Sequence, residues 1–379
     1  MLPEYRITAG FMPLTDSLLL VVARERGFTG AEGVDLTLTR ESSWANIRDR
    51  VAVGQFDVAH MLAPMPIAAA LGLTPIAGPL VAPMALGLGG NAVTVSPALW
   101  QRMKAAGAPD DLAPGPVGKA LAAVIEGTET RPRFAVVHPH SGHNYELRYW
   151  LAASGIDPDR AVEIVVLPPP LMPDAMRTDG IDGYCVGEPW NSVAVATGVG
   201  RIATVKAAIW PRSPEKVLGA TERWAEDSPE ALSALLRGLY HASAWCADPA
   251  NHAEMAMLLA QQDYLSVPAE IIGRALSGRI VTGGNERVTV PEFFVPQAHH
   301  ATYPHPAHGL WLYSQMVRWG DVQHTEANAA LARNAFRPDL YKQALGVLDV
   351  AEDVVEFFDG KTFDPADLSG YIAAQRPYA

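Results

Sequence analysis

The stretch HPHSGHN, residues 138–144, places His138, His140 and His143 within six positions. Imidazoles so close together can hold a metal, act as a general base or donate N–H groups to an anion. A catalytic zinc site uses three protein ligands fixed by partners of their own. His-x-His-x-x-His across a turn matches no such geometry, and no HExxH occurs. A second group, His299, His300, His305 and His308, lies far downstream in a Pro-rich loop. Motifs of covalent and nucleotide chemistry are missing: no GxSxG, no GxxxxGK(S/T), and no GxGxxG following a strand. Cys185 and Cys246 sit in apolar stretches outside any CxxC and read as buried free thiols. The expectation is a protein that is not an enzyme, with no metal and no cofactor.

The elements that must position these residues follow from periodicity. EYRITAGF and VDLTLTR alternate as strands, and SLLLVVARERG and ESSWANIRDRVAVG read as helices. Thr15 or Asp16 is the expected N-cap of the first helix, Ser42 or Ser43 that of the second. FDVAHML is a strand, and PMPIAAALG opens a helix with prolines in its first turn. The construction returns after residue 130 with the strand RFAVVH, the helix NYELRYWLAASG, and the strands VEIVVLPPP and IDGYCVG. RDRVAVGQFDVAHMLAPMP and PDAMRTDGIDGYCVGEPWN share one plan, with Gly54/Asp57 and Gly180/Asp182 in like roles. This pattern predicts a duplicated, parallel-rich α/β architecture. GLGGNAV reads as a hinge or crossover, residues 104–128 as a surface excursion, and the chain from 228 onward as mainly helical.

In open α/β sheets, ligands gather at the carboxyl ends of strands, where helix N-termini offer free N–H groups to anions. Three such junctions carry unusual residues: GFMPLTDS, ESSWAN with Trp44, and PHSGHN with His143. On this reading His138 ends a strand, His140 lies in the turn, and His143 begins a helix. Trp44 either caps the core edge or presents an indole N–H to the cleft.

The 379 residues are 49% hydrophobic and 18% charged, enough for two lobes. The formal charge is −12 with no Lys/Arg run longer than two, which argues against direct nucleic-acid binding. No apolar run is long enough to span a bilayer, so no membrane insertion is expected. The N-terminus reads as a strand rather than a signal peptide, so a cytoplasmic location is expected.

The blocks GFMPLTDSLLLVVARERGF, ESSWANIRDRVAVGQFDVAHMLAPMP, LGGNAVTVS, HPHSGHNYELRYWLAASGIDP, PPPLM, IDGYCVGEPWNSVAV and PEKVLGATERWAE, in that order, carry a resemblance. Together they resemble the nitrate-binding proteins of the nitrate/bicarbonate group of ABC-transporter solute-binding proteins. The resemblance implies a two-lobed type II periplasmic-binding-protein fold with a hinge and a ligand cleft. It places 1–91 and 205–379 in one lobe and 92–204 in the other. The family's Trp, amide, His and Lys anion contacts fall on Trp44, Asn91, His143 and Lys216. Asn91 keeps an amide donor where the family position is Gln. Thr15, Asp16, His140 and Glu188 stand behind these as supporting or substitute contacts. A lysine at 216 suits nitrate or nitrite, whereas the bicarbonate relatives carry an acidic, calcium-associated site. The likeness is greatest to the cytoplasmic nitrate-sensor branch. Those proteins sequester an ANTAR-domain RNA-binding antiterminator and release it when nitrate binds. The alternative it implies is the nitrate-binding component of an ABC transporter, with its leader removed.

Overall fold

The structure is a computed structural model that describes residues 4–75, 78–128, 130–347, 350–351 and 354–375. Its first eleven strands are β1 (Tyr5–Phe11), β2 (Val34–Arg40), β3 (Val58–Leu62), β4 (Leu80–Ala85), β5 (Leu88–Gly89), β6 (Asn91–Val95), β7 (Arg133–Val136), β8 (Glu163–Val166), β9 (Gly183–Gly187), β10 (Arg201–Val205) and β11 (Lys216–Thr221). They build two five-stranded sheets, ordered β2-β1-β3-β11-β4 and β10-β6-β9-β7-β8. Helices flank both, as expected of an α/β fold of the periplasmic-binding-protein kind.

The duplication has a physical counterpart. Thr8 N–H donates to Asp57 Oδ2 at 2.7 Å, and Arg133 N–H donates to Asp182 Oδ2 at 2.8 Å. Each carboxylate ties the start of a returning strand to a neighbouring parallel strand 49 residues earlier. β3, β6, β9 and β10 are buried along their whole length: the first three are central strands, and β10, at a sheet edge, is covered by helices Trp190–Ala196 and Pro114–Glu126 and by strand Arg279–Gly283.

Both sheets are mixed rather than wholly parallel. β1, β2 and β3 pair in parallel, as do β7, β8 and β9, but β11 runs antiparallel to β3 and β4. β6 likewise runs antiparallel to β9 and β10. The reversed strands, β6 and β11, are the ones that directly follow the two crossings between sheets, at 86–90 and 206–215. Gly87, Gly89 and Gly90 have positive φ in the first crossing, and a Cβ on Gly89 would lie 2.4 Å from the Phe293 carbonyl oxygen. At the second crossing, Trp210 is pinned against Trp311 and Phe357, with ring centroids 4.4 and 5.4 Å away.

Two local expectations change. Residues 104–128 are not a surface excursion: helices Pro97–Ala105 and Pro114–Glu126 pack there, burying Met103, Val117, Ala120 and Leu121. Thr15 and Asp16 do not cap the first helix. They form a 3-10 turn, Thr15–Ser17, ahead of helix Leu18–Glu25, and the Asp16 side chain is used elsewhere.

The chain beyond β11 touches both sheets' surroundings. Helix Pro229–Cys246 packs on helices Leu18–Glu25 and Phe28–Ala31, while helix Ala269–Ser277 and strand Arg279–Gly283 pack on helix Trp190–Ala196. Helix Pro306–Arg318 meets both helix Pro64–Ala70 and helix Gly142–Ala153.

Candidate functional site

The carboxyl ends of β1 and β3 deliver the first half of a buried polar cluster. Asp16, in the turn after β1, accepts from Lys216 Nζ at 2.7 Å through Oδ2 and lies 3.0 Å from His60 Nε2 through Oδ1. His60 comes from β3, and its Nδ1 accepts from Met12 N–H at 3.4 Å, which sets Nε2 as the protonated nitrogen facing Asp16. Trp44 opens helix Trp44–Ala52 directly after Ser43, whose hydroxyl accepts from Asn46 N–H at 3.2 Å. The cap holds the indole in the first turn, with its ring 5.4 Å from that of His60 and 5.5 Å from Lys216 Nζ.

Glu215, the last residue of the second crossing, joins this half to the other. One carboxylate oxygen accepts from Lys216 Nζ at 2.9 Å and lies 3.3 Å from His143 Nδ1. The other accepts from Asn91 Nδ2 at 2.7 Å and Lys206 Nζ at 2.5 Å. His143 is the second residue of helix Gly142–Ala153, whose cap Ser141 accepts from Asn144 N–H at 3.0 Å. A Cβ on Gly142 would stand 2.5 Å from Glu215 Oε2, so glycine is what lets the carboxylate approach the helix N-terminus. Lys206 also donates to the Pro214 carbonyl at 2.7 Å and pairs with Glu146 Oε1 at 2.7 Å.

All these side chains are buried, so charge is set by neighbours rather than by water. Burial would raise the pKa of Asp16, but Lys216 and His60 beside it prevail and hold it at about 2. Glu215 behaves alike: against the effect of burial, His143, Lys206 and Lys216 keep it well below the usual carboxylate range. Burial pushes His143 down to about 3, although Glu215 pulls the other way, so its imidazole is neutral. Burial raises Glu146 to about 8 despite Lys206. Glu188 is likewise pushed up by burial, to about 7.

The structure thus brings Trp44, Asn91, His143 and Lys216 into one cluster, together with Asp16. Thr15 lies at its edge: its N–H donates to the Glu188 carbonyl at 2.7 Å, and its buried hydroxyl has no partner among the described residues. Glu188 turns its carboxylate to the N–H of Ser192 at 3.0 Å, so only its backbone meets Thr15. His140 is elsewhere, 3.0 Å from the Tyr145 hydroxyl and 3.7 Å from Asp321, and His138 accepts from the His140 N–H. The three histidines of the opening motif therefore do not converge. Among the described residues no three His, Cys, Asp or Glu side chains are grouped to hold a metal ion.

Four members of the cluster were missed in the sequence: His60, Glu146, Lys206 and Glu215. A signal existed for His60, a polar residue inside the apolar strand VAHML. Glu215 adjoins Lys216 in SPEKV, where an adjacent acid and base carry no signal of joint burial.

Thr15 and Glu188 belong to strand ends of opposite sheets, and a second contact repeats the tie: Trp190 Nε1–H donates to the Pro13 carbonyl at 3.0 Å. These two hydrogen bonds add to the Glu215–His143 and Lys206–Glu146 contacts that join the two halves of the cluster.

Comparison with known proteins gives consistent likenesses. The NMT1-like family matches residues 2–260. The nitrate/nitrite binding protein NrtA of Synechococcus elongatus is 33% identical, covering 98% of this chain and 86% of NrtA. The nitrate import ATP-binding protein NrtC of Synechocystis is 34% identical over 98% of this chain, which spans only 55% of NrtC. Among solved structures, the periplasmic nitrate-binding protein NrtA of Synechocystis matches with a TM-score of 0.90 at 29% identity, covering 99% of this chain and 100% of that one.

Proposed function

The chain belongs to the NMT1-like family, and from its likeness to NrtA we propose that it is a binding protein for nitrate or nitrite, held between its two lobes. One observation carries this reading. Trp44 Nε1, the His143 ring and the Thr15 hydroxyl are buried without hydrogen-bond partners among the described residues, in the cluster that holds the Lys216 ammonium, and the neutral imidazole offers one N–H. A buried donor left unpaired costs about 1–3 kcal/mol, so a set of them signals an acceptor to come. A small planar anion with three weak acceptor oxygens suits an indole, a neutral imidazole, a hydroxyl and an ammonium, and water exclusion strengthens each contact. Calorimetric titration with nitrate, nitrite, bicarbonate and sulfate tests it. Nitrate and nitrite are expected to bind; binding of bicarbonate alone would overturn the ligand assignment.

The finer reading is a cytoplasmic sensor that sequesters an ANTAR-domain RNA-binding antiterminator and releases it when nitrate closes the lobes. The resemblance to the sensor branch supports it, as does a charge of −12, which fits a chain that meets RNA only through a partner. Nitrate and partner must then favour opposite lobe arrangements, and each weakens the other by the same factor. The second reading, a nitrate-binding component of an ABC transporter, is favoured by what the relatives NrtA and NrtC are named for. No described helix is long and apolar enough to cross a membrane. Pull-down of the antiterminator with and without nitrate separates the two readings. Capture lost on adding nitrate supports the sensor, and no capture in either condition favours the transport component.

A further inference from the structure

The cluster's charges raise a question that its hydrogen-bond donors do not answer. Two ammonium groups, Lys206 and Lys216, face three carboxylates, Asp16, Glu215 and Glu146. All five side chains are buried, so neither solvent nor salt screens them. With all three carboxylates ionised, a bound monoanion would bring four negative charges against two positive ones. Burying charge without compensation is strongly unfavourable, and the usual relief is that one group neutralises.

The three carboxylates are not equally provided for. Asp16 has Lys216 and His60, and Glu215 has Lys216, Lys206, Asn91 and the His143 ring nearby. Among the described residues Glu146 pairs directly only with Lys206, whose ammonium already serves Glu215 and the Pro214 carbonyl. Neither Glu146 oxygen has a properly formed hydrogen bond among the described residues. The other groups facing this corner offer no relief. Cys185 on β9 has its thiol pushed up by burial and by the nearby Glu146, and His143 on the same helix is neutral. His308, from helix Pro306–Arg318, is driven neutral by burial, by His305 and by Lys206. Lys216 lies further along the network and is engaged by Asp16 and Glu215.

We propose that Glu146 carries a proton that the site requires in order to hold its anion, so that the ligand bound is in effect nitrate plus one proton. This rests on the anion reading of the site. The protonated carboxyl keeps one oxygen as an acceptor for Lys206 and leaves that lysine's charge available to the anion and Glu215. Glu146 does not touch the anion in this account; it acts by setting the net charge around it.

The sign of the pH dependence follows from linkage. Without ligand the Glu146 carboxyl titrates at about 8, and a neighbouring anion raises this further. Below that value the proton is already present and affinity is flat. Above it the proton must be taken up on binding, and affinity falls by up to about tenfold per pH unit.

The experiment is nitrate calorimetry on the full chain between about pH 7 and pH 9.5, in buffers of different ionisation enthalpy. The dissociation constant is expected to weaken by ~10-fold or more across the upper part of that range, with close to one proton taken up per nitrate near its top. The Glu146→Gln variant is expected to lose the slope, whatever its absolute affinity, and Glu188→Gln to keep it. A flat affinity with no proton uptake in the parent overturns the proposal, as does a slope that survives in Glu146→Gln. The uptake measurement needs no variant, so poor folding of Glu146→Gln does not protect the idea. Absence of nitrate binding at every pH overturns the anion reading itself.

Discussion

Replacing Trp44 by Phe deletes one hydrogen-bond donor from the cluster while keeping an aromatic ring beneath the Lys216 ammonium, which lies 5.5 Å from the indole. The indole is 1% exposed and its Nε1 has no partner among the described residues. For the protein without ligand, loss of an unpaired buried donor removes a penalty of about 1–3 kcal/mol. The cavity left by the smaller ring costs on the order of 1 kcal/mol. Stability is therefore expected to stay level or to rise by up to about 2 kcal/mol. For the nitrate complex the arithmetic differs, because a hydrogen bond to a charged acceptor is worth about 1.5–3 kcal/mol. That corresponds to a Kd roughly 10- to 150-fold weaker. Calorimetry with nitrate and chemical denaturation without it measure the two quantities on one preparation. An unchanged Kd refutes the placement of the indole N–H on the anion. A loss of affinity matched by an equal loss of stability refutes the claim that Trp44 acts through that donor rather than through packing.

Gly142→Ala introduces a Cβ 2.5 Å from Glu215 Oε2, so the carboxylate must leave the helix N-terminus. Thermal denaturation is expected to show a loss of about 1–3 kcal/mol, with weaker nitrate binding in the same sample. Trp190→Phe removes the 3.0 Å bond to the Pro13 carbonyl that ties the lobes. Nitrate release in stopped flow is expected to quicken about fivefold, for a bond worth ~1 kcal/mol, with little change in association. Acid sensitivity has a defined window: His143 titrates at about 3 when folded against 6.5 when free. The unfolded chain binds more protons between those values, so stability falls as pH drops from 6.5 toward 3. Asp16, held at about 2 against 3.8, adds a further loss as pH falls from 3.8 through 2. Denaturation midpoints across pH should show the earlier fall flattened in His143→Asn.

What could be read from the sequence and what could not divide along a physical line. The paired roles of Asp57 and Asp182 were legible because each is a local device at the start of a strand, written twice in the chain. Trp44 and His143 were legible because each opens a helix after a strand, where donors face a cleft. Asp16 was misread as a helix cap, since a capping carboxylate and a buried counter-ion look the same in the string PLTDS; only the Lys216 contact, 200 residues away, decides between them. Glu146 in NYELRYW reads as an ordinary helix carboxylate until the segment 206–215 folds over it and places Lys206 against it. Periodicity and caps report on a residue's own neighbourhood, and a family likeness transfers the residues that touch the ligand. Neither reports the sum of charges that distant segments bury together. A set of anion contacts can therefore be complete in donors and still leave open whether the site accepts another negative charge. In this chain that question falls on Glu146, which among the described residues has fewer direct partners than Asp16 or Glu215 in the same cluster.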